Sequence, residues 1–214
     1  SLLLDCAREA AIPAGSALAV DRGKFSNLVT ERITHHPDIT VIRQELTEIP
    51  ESPAIVASGP LTSSGLANSI AELSGENHLF FYDAIAPIVA ADSINYNLAF
   101  RASRYGDGTL SEGDYLNCPL NESQYIEFVE ALGNAERIEI KDFELDLETG
   151  VKAGYGHFFE GCLPVEIIAK RGQQSLAFGP MRPVGLKDPH TGRRPYAVVQ
   201  LRQENLSGDL FNLV

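Results

Sequence analysis

The stretch Gly154-Tyr-Gly-His-Phe-Phe-Glu-Gly-Cys162-Leu-Pro-Val-Glu166-Ile-Ile-Ala-Lys170-Arg171-Gly172 gathers a thiol, an imidazole, two carboxylates and two cations within one short run. Gly161, just before the thiol, lets the backbone pass close to a ligand with no side chain in the way. Pro164 suits the first turn of a helix, where its missing N–H costs nothing. Val165 to Lys170 then reads as one or two helical turns, with Gly172 as the C-cap. Cys162 therefore lies just before a helix N-terminus, where backbone N–H groups and the helix dipole favour a thiolate. Lys170 and Arg171 add positive charge nearby. A thiolate so placed is a nucleophile for covalent catalysis. The same residues also describe a half-buried cysteine at a turn, because free cysteine is among the most buried residue types. The local sequence leaves both readings open. A thiol hydrolase pairing Cys162 with His157 is a further reading, but no third group is evident to orient the imidazole.

The elements that must position this stretch follow from periodicity and punctuation. Residues 1–12 read as a helix ended by Pro13 and Gly15, and 17–20 as a short strand. Asp21 caps a helix from about Arg22 to His35, whose Phe25, Leu28, Val29 and Ile33 fall at helical spacing. Residues 39–43, 46–49 and 54–57 read as three strands, the last ending at Ser58-Gly59-Pro60. Small residues at a strand's C-terminal end admit a ligand to the backbone, which makes Ser58 and Gly59 the candidate cofactor contacts; no GxGxxG occurs in the chain. A helix starts near Thr62 and runs to Leu73. Residues 78–83 read as a strand, 84–91 as either a strand or a short helix, and 96–104 and 115–118 as strands. Asn121 caps a helix through Leu132, and Asn121 with Gln124 resembles a capping box. Residues 134–150 are acidic. Residues 176–178 read as a strand, 179–185 as a rigid turn, 187–192 as a hairpin and 197–202 as a half-buried strand.

Bulk composition narrows the class. The chain has 214 residues, 44% hydrophobic and 21% charged, an ordinary globular balance for one large or two small domains. No apolar run approaches the ~20 residues that span a bilayer, and no secretory signal opens the chain. Cys6, Cys118 and Cys162 form no CxxC and no paired framework, so the expectation is a reduced, cytoplasmic protein without a structural zinc site. The net charge of −12 argues against nucleic-acid binding by the whole surface. Its distribution is uneven: residues 1–150 carry 9 Lys+Arg against 24 Asp+Glu, while residues 151–214 carry 8 against 5. A basic end on an acidic body admits a polyanion at that end alone, although solvated charges with local ion pairs give the same count. Arg171, Arg182, Arg193, Arg194 and Lys170 are the phosphate-contact candidates, arginine being suited to bidentate contact. The chain opens without methionine on a helical pattern under way and stops on an apolar segment; the expectation is a piece of a longer protein.

Several ordered blocks carry a family resemblance over nearly the whole chain. They are Ile12-Pro-Ala-Gly-Ser-Ala-Leu-Ala-Val-Asp21-Arg22, Ala57-Ser-Gly-Pro-Leu-Thr-Ser63, Phe81-Tyr-Asp-Ala-Ile-Ala-Pro-Ile88 and Tyr115-Leu-Asn-Cys-Pro119. To these are added Phe159-Glu-Gly-Cys-Leu-Pro-Val-Glu166 with Lys170-Arg-Gly172, Phe178-Gly-Pro-Met-Arg-Pro-Val-Gly185 and Arg194-Pro-Tyr-Ala-Val-Val-Gln-Leu-Arg202. Together they resemble the folate- and flavin-dependent tRNA (uracil-5-)-methyltransferases, bacterial enzymes related to the glucose-inhibited division proteins. The resemblance implies an α/β chain, α+β overall. Residues 1–60 would be a partial Rossmann-like FAD/NAD(P)-binding segment, and 61–214 an inserted mixed α+β substrate domain, incomplete at its C-terminus. It implies FAD as cofactor, methylenetetrahydrofolate and NAD(P)H as co-substrates, and methylation of carbon 5 of a T-loop uridine in tRNA. The cysteine of the family's Glu-Gly-Cys-x-Pro motif matches Cys162; Cys6 and Cys118 match neither functional cysteine. The dinucleotide fingerprint and the first functional cysteine have no counterpart here, so this chain by itself is expected to be inactive and to hold FAD poorly.

That chemistry assigns roles. Carbon 5 of uracil is a poor nucleophile, and adding a thiolate to carbon 6 makes an enolate that attacks a one-carbon electrophile. A backbone N–H or an arginine would stabilise the enolate oxygen. A base must remove the carbon 5 proton; Glu166, Glu160 and His157 are local options, and Cys162 with Glu166 forms the catalytic assignment. Tyr196, Phe158 and Phe159 are options for stacking on a base withdrawn from its loop, the two phenylalanines also fitting a hydrophobic core. Two competing readings are a non-catalytic RNA-binding or assembly module and a sister flavoprotein acting on the tRNA wobble uridine.

Overall fold

The computed structural model describes residues 1–59, 62–75, 86–104, 112–136 and 165–214. The chain begins with helix α1 (Leu2–Glu9), capped by the Ser1 side chain. A two-stranded antiparallel hairpin follows, β1 (Ala11–Ile12) and β2 (Ala19–Val20), and leads into α2 (Arg22–Thr34). Asp21 caps α2 as its sequence position requires, with Oδ1 accepting the Lys24 N–H at 2.8 Å. Helix α3 (Ser64–Ser74) starts on the Ser63 cap and ends at Gly75, whose φ of +72° supplies the left-handed turn.

The second half is built on a five-stranded antiparallel sheet. Its strands are β3 (Ile88–Ala90), β4 (Phe100–Ala102), β5 (Tyr115–Leu120), β6 (Ala197–Gln203) and β7 (Leu210–Leu213), in the spatial order β3-β7-β6-β5-β4. Among the described residues three helices accompany it: α4 (Glu122–Asn134), α5 (Val165–Lys170) and the single turn α6 (Ser175–Phe178). The Asn121–Gln124 pair forms a complete capping box at the start of α4.

Register divides the sheet into two chemically different faces. On one face Leu116 lies opposite Leu201, Cys118 opposite Val199 and Leu120 opposite Ala197. Tyr125 and Val129 of α4, Ile168 and Ala169 of α5, and Leu176 and Ala177 of α6 cover one end of that face with Met181 and Ala197. Phe211, Ala99, Leu116 and Leu201 close the other end, and Val199 packs against both clusters. The opposite face is also buried and sets polar groups among the apolar Phe100 and Val198. Asn117 lies opposite Gln200, whose Nε2 donates to Asn117 Oδ1 at 2.9 Å. Asn117 Nδ2 in turn donates to the carbonyls of Ala102 and Tyr115 at 3.1 and 3.2 Å. Burying both amides is tolerable because each finds partners on neighbouring strands.

The N-terminal hairpin and α2 dock against this sheet through specific polar contacts. Asp114, fully buried, accepts the Gly15 N–H at 2.7 Å, and the Tyr115 hydroxyl donates to the Ala14 carbonyl at 2.8 Å. Asp21 Oδ2 accepts the Leu206 N–H at 2.9 Å, so the helix cap also grips the β6–β7 turn. Next to it, Arg22 Nη2 meets Glu204 Oε1 at 2.6 Å, and the other oxygen of Glu204 accepts from Asn212 Nδ2 at 2.6 Å.

Mixed helix and sheet content agrees with the fold class read from the sequence, and helices α2 to α5 fall where periodicity and caps put them, while the helix read over 1–12 stops at Glu9 and gives way to strand β1 at Ala11–Ile12. Three further expectations are corrected. Residues 39–43, 46–49 and 54–57 form no strands. Most of their apolar side chains stand in solvent, Ile42 at 70% and Ile55 at 95% exposure, and a strand is stable only where a neighbour pairs its N–H and C=O groups. Residues 176–178 lie in the helical turn α6, because a run this short cannot show which period it follows. Residues 96–104 yield strand only at Phe100–Ala102, after a turn in which Asn95 Oδ1 accepts the Asn97 N–H at 3.0 Å. The ambiguous 84–91 run contains strand β3 at Ile88–Ala90. The strand expected over 78–83 and most of the acidic segment 134–150 lie outside the described residues.

Candidate functional site

Helix α5 is the described part of the segment singled out by its chemistry. Cys162 itself lies outside the described residues, as do His157, Phe158, Phe159 and Glu160. Val165 opens α5 as the sequence required, and Glu166 occupies its first turn, half-buried. Ile168 and Ala169 turn inward to the core, which fixes the rotation of the helix and carries Lys170 and Arg171 to an exposed end. The Arg171 and Gly172 N–H groups return to the carbonyls of Ile168 and Ala169 at 3.1 and 3.3 Å, closing α5 at the glycine.

Tyr125 holds this unit to α4. Its ring is fully buried, and its hydroxyl donates to the Gln173 carbonyl at 2.6 Å while accepting the Ala177 N–H at 3.1 Å. That N–H sits in the first turn of α6, where helix amides have no partner within the helix. Burial pushes the Tyr125 phenol above its ordinary range. Tyr196 packs on the same ring, with centroids 5.3 Å apart and planes inclined by 51°. Half-buried against the core, Tyr196 thus commits one edge of its ring to Tyr125.

The connection from α6 to β6 brings the remaining candidate cations together. Met181 anchors it at both ends: its N–H returns to the Leu176 carbonyl and its own carbonyl accepts the Val198 N–H, each at 2.9 Å. The Gly185 backbone at φ +71° passes so close to Arg104 that any Cβ would strike the Arg104 carbonyl, which is why this turn needs glycine. Arg182, Arg193 and Arg194 are exposed on this connection, and so is Lys187. None of the four takes part in an ion pair among the described residues. Sequence reasoning does not single out the residue that shapes their turn, Asp188; its position in Lys-Asp-Pro-His-Thr-Gly is the one signal that marks it.

Ser58 and Gly59 lie elsewhere, on an exposed turn. Thr62 Oγ1 donates to the Gly59 carbonyl at 2.7 Å and shares a hydrogen bond with Ser58 Oγ at 2.6 Å. Gly59 has φ +69°, and nothing lies within 4 Å of where a Cβ would be. An open, side-chain-free backbone of this kind fits one edge of a dinucleotide, but these two residues offer no complete cradle. Among the described residues no group of three or more His, Cys, Asp or Glu side chains is placed to hold a metal ion, and no helix is long and apolar enough to cross a membrane.

Cys118, half-buried on the sheet's apolar face, is a different kind of thiol. Burial pushes it above the ordinary thiol range, and its neighbours there are hydrocarbon. Cys6 is fully buried in α1.

Comparison with known proteins agrees with the blocks read from the sequence. A methylenetetrahydrofolate–tRNA-(uracil-5-)-methyltransferase TrmFO of Bacillus cereus (strain G9842) is 52% identical over 214 residues, all of this chain and 46% of the relative. Proteins of the same name from Pelotomaculum thermopropionicum and Heliobacterium modesticaldum are 56% and 53% identical over 215 residues, again 46% of their length. The chain thus spans about half the length of the curated relatives it matches. The family described as "Glucose inhibited division protein A" matches residues 1–214. From end to end, the chain belongs to the glucose inhibited division protein A family.

Proposed function

We propose that this chain is part of a tRNA-modifying flavoenzyme that methylates carbon 5 of a T-loop uridine, with methylenetetrahydrofolate as one-carbon donor and NAD(P)H as electron source. The carrying observation is the match of the whole chain, at 52–56% identity, to relatives named for that reaction. In this reading residues 1–60 belong to the flavin-binding domain and 61–214 to an inserted substrate domain, in a cytoplasmic protein. FAD, when bound, supplies the two electrons that reduce the one-carbon unit. Ser58 and Gly59 contribute an exposed backbone edge to its site, and the dinucleotide fingerprint is supplied by sequence outside this chain.

The chain's own residues do the following. Cys162 adds to carbon 6 of the uracil as a thiolate, which places negative charge on the ring and makes carbon 5 nucleophilic. Glu166, in the first turn of the following helix, takes the carbon 5 proton before the thiolate leaves. Tyr125 fixes the α5–α6 turn through its two hydrogen bonds, which supports a defined position for the segment entering α5. Lys170, Arg171, Arg182, Arg193 and Arg194 meet tRNA phosphates from exposed positions, and the exposed edge of Tyr196 meets the withdrawn base.

A chimera in which this chain replaces the matched stretch of the Bacillus cereus relative tests the proposal. Incubation with unmodified tRNA transcript, methylenetetrahydrofolate and NADPH, followed by nucleoside mass spectrometry, is expected to yield 5-methyluridine at the T-loop position. Modification at the wobble position instead, or none where the intact relative is active, contradicts it.

A further inference from the structure

The turn between Lys187 and Arg194 is organised around a buried carboxylate that forms no ion pair with the cations around it among the described residues. Asp188 is only 7% exposed, although its neighbours Lys187, His190, Arg193 and Arg194 all stand in solvent. Its oxygens are occupied by the loop itself. Oδ1 accepts the His190 N–H at 2.8 Å, and Oδ2 accepts the Thr191 hydroxyl at 3.0 Å. The Asp188 backbone closes the same loop: its N–H donates to the Arg193 carbonyl at 2.9 Å, and its carbonyl accepts the Gly192 N–H at 2.8 Å. Thr191 Oγ1 passes the connection on by accepting the Arg193 N–H at 3.3 Å. Gly192 turns the chain at φ +68° with open space where a Cβ would stand.

A carboxylate beside several cations would ordinarily reduce their attraction for an anion. Here it forms no ion pair among the described residues, and it is spent on an amide and a hydroxyl. The cations are left on a turn whose backbone is already tied down. Binding to a flexible basic loop loses affinity to ordering, and a pre-formed one avoids most of that loss. We infer that Asp188 is a positioning residue for RNA: it holds the 187–194 turn so that Lys187, Arg193 and Arg194 face a ribose-phosphate backbone together. This rests on the reading of tRNA as substrate and adds the residue that arranges the contact.

The inference makes a prediction opposite in sign to simple charge counting. Asp188→Ala raises the net charge by one unit, so electrostatics alone would tighten RNA binding. Without the positioned turn, binding weakens instead, by about tenfold, and the dependence of log Kd on log salt flattens by about 0.7 for each phosphate no longer neutralised. Asp188→Asn keeps one acceptor oxygen and falls between the wild type and Asp188→Ala. The probe is a fluorescent T-arm stem-loop RNA titrated by anisotropy against the chimera carrying this chain at several salt concentrations. Thermal melts accompany each variant, and Asp188→Asn carries the comparison if Asp188→Ala does not fold. Weaker binding with a shallower salt slope supports the inference. Unchanged or tighter binding by both variants overturns it, while a drop in affinity on Arg193→Ala/Arg194→Ala leaves the tRNA reading standing. No RNA binding by the folded chimera with the unsubstituted chain overturns both.

Discussion

Removing one oxygen from the core, in Tyr125→Phe, tests how the unit behind Cys162 is held. The ring stays, and with it the packing against Tyr196 and the apolar neighbours in α5 and α6. Two hydrogen bonds go. The Ala177 N–H, on a residue only 9% exposed, is deprived of the acceptor that satisfied it, and a buried donor left without a partner costs about 1–3 kcal/mol. The Gln173 carbonyl belongs to an exposed residue, so water replaces most of the missing donor at a cost of about 0.5–1 kcal/mol. The sum is about 1.5–4 kcal/mol, which corresponds to roughly 3–16 °C in melting temperature for a chain of this size. Urea unfolding of wild type and variant supplies the measurement, with the m-value unchanged because the surface exposed on unfolding is the same. A destabilisation below about 0.5 kcal/mol would refute the reasoning, since it would mean that the hydroxyl is not what ties α4 to the α5–α6 turn. The phenol is pushed up by burial, so its contribution is fully present below the unfolded tyrosine range near pH ~10 and is lost as pH rises through the higher folded value.

Three further outcomes follow from named contacts. Glu204→Ala is expected to cost more than Arg22→Ala, about 1–2 against about 0.5 kcal/mol in urea unfolding, because Arg22 is 74% exposed whereas Glu204 is 17% exposed and also partners the buried Asn212 amide. Backbone N–H groups of Lys24 and Leu206 hold Asp21 below the usual carboxylate range, so its contribution is fully present above pH ~4 and is lost as pH falls through the lower folded value; Asp21→Asn should flatten the acid limb of stability against pH. Cys118, its thiol pushed up by burial, should react with iodoacetamide at pH 7.5 at least ~10-fold more slowly than the same residue in the urea-unfolded chain.

Where a local signal decides an element, the sequence is sufficient to read it. Asn121 with Gln124 predicts a capping box, and Asp21 and Gly172 predict a helix start and a helix end; all three stand in the structure. The apolar alternation of residues 197–202 likewise becomes β6. Long-range partnership is not legible. Residues 39–57 have the composition of buried strands, but a strand is defined by a paired neighbour, and among the described residues no strand pairs with them, the Ile49 N–H going to Ser69 Oγ instead. Asp21 and Arg22 show the opposite limit. They read as cap and first turn alone, although they also reach Leu206 and Glu204, at sequence separations of 185 and 182. At the candidate site the exposed cations emerge from charge counting. Asp188, the residue that arranges them, does not, because one acidic residue in a basic stretch carries no pattern of its own. Cys162 stands out through the whole Glu-Gly-Cys-Leu-Pro block, since the thiol and its neighbouring helix fit a structural cysteine equally well.

Covalent catalysis through Cys162 leaves a bond that can be trapped. The chimera carrying this chain would be incubated with methylenetetrahydrofolate, NADPH and a T-arm RNA holding 5-fluorouridine at the target position, then digested and analysed by mass spectrometry. Fluorine at carbon 5 cannot leave as a proton does, so a nucleophile added at carbon 6 stays attached. A nucleotide adduct is expected on the peptide containing Cys162, absent in Cys162→Ala together with methyl transfer. Full methylation by Cys162→Ala, with no adduct on Cys162 in the parent, would contradict covalent catalysis through Cys162.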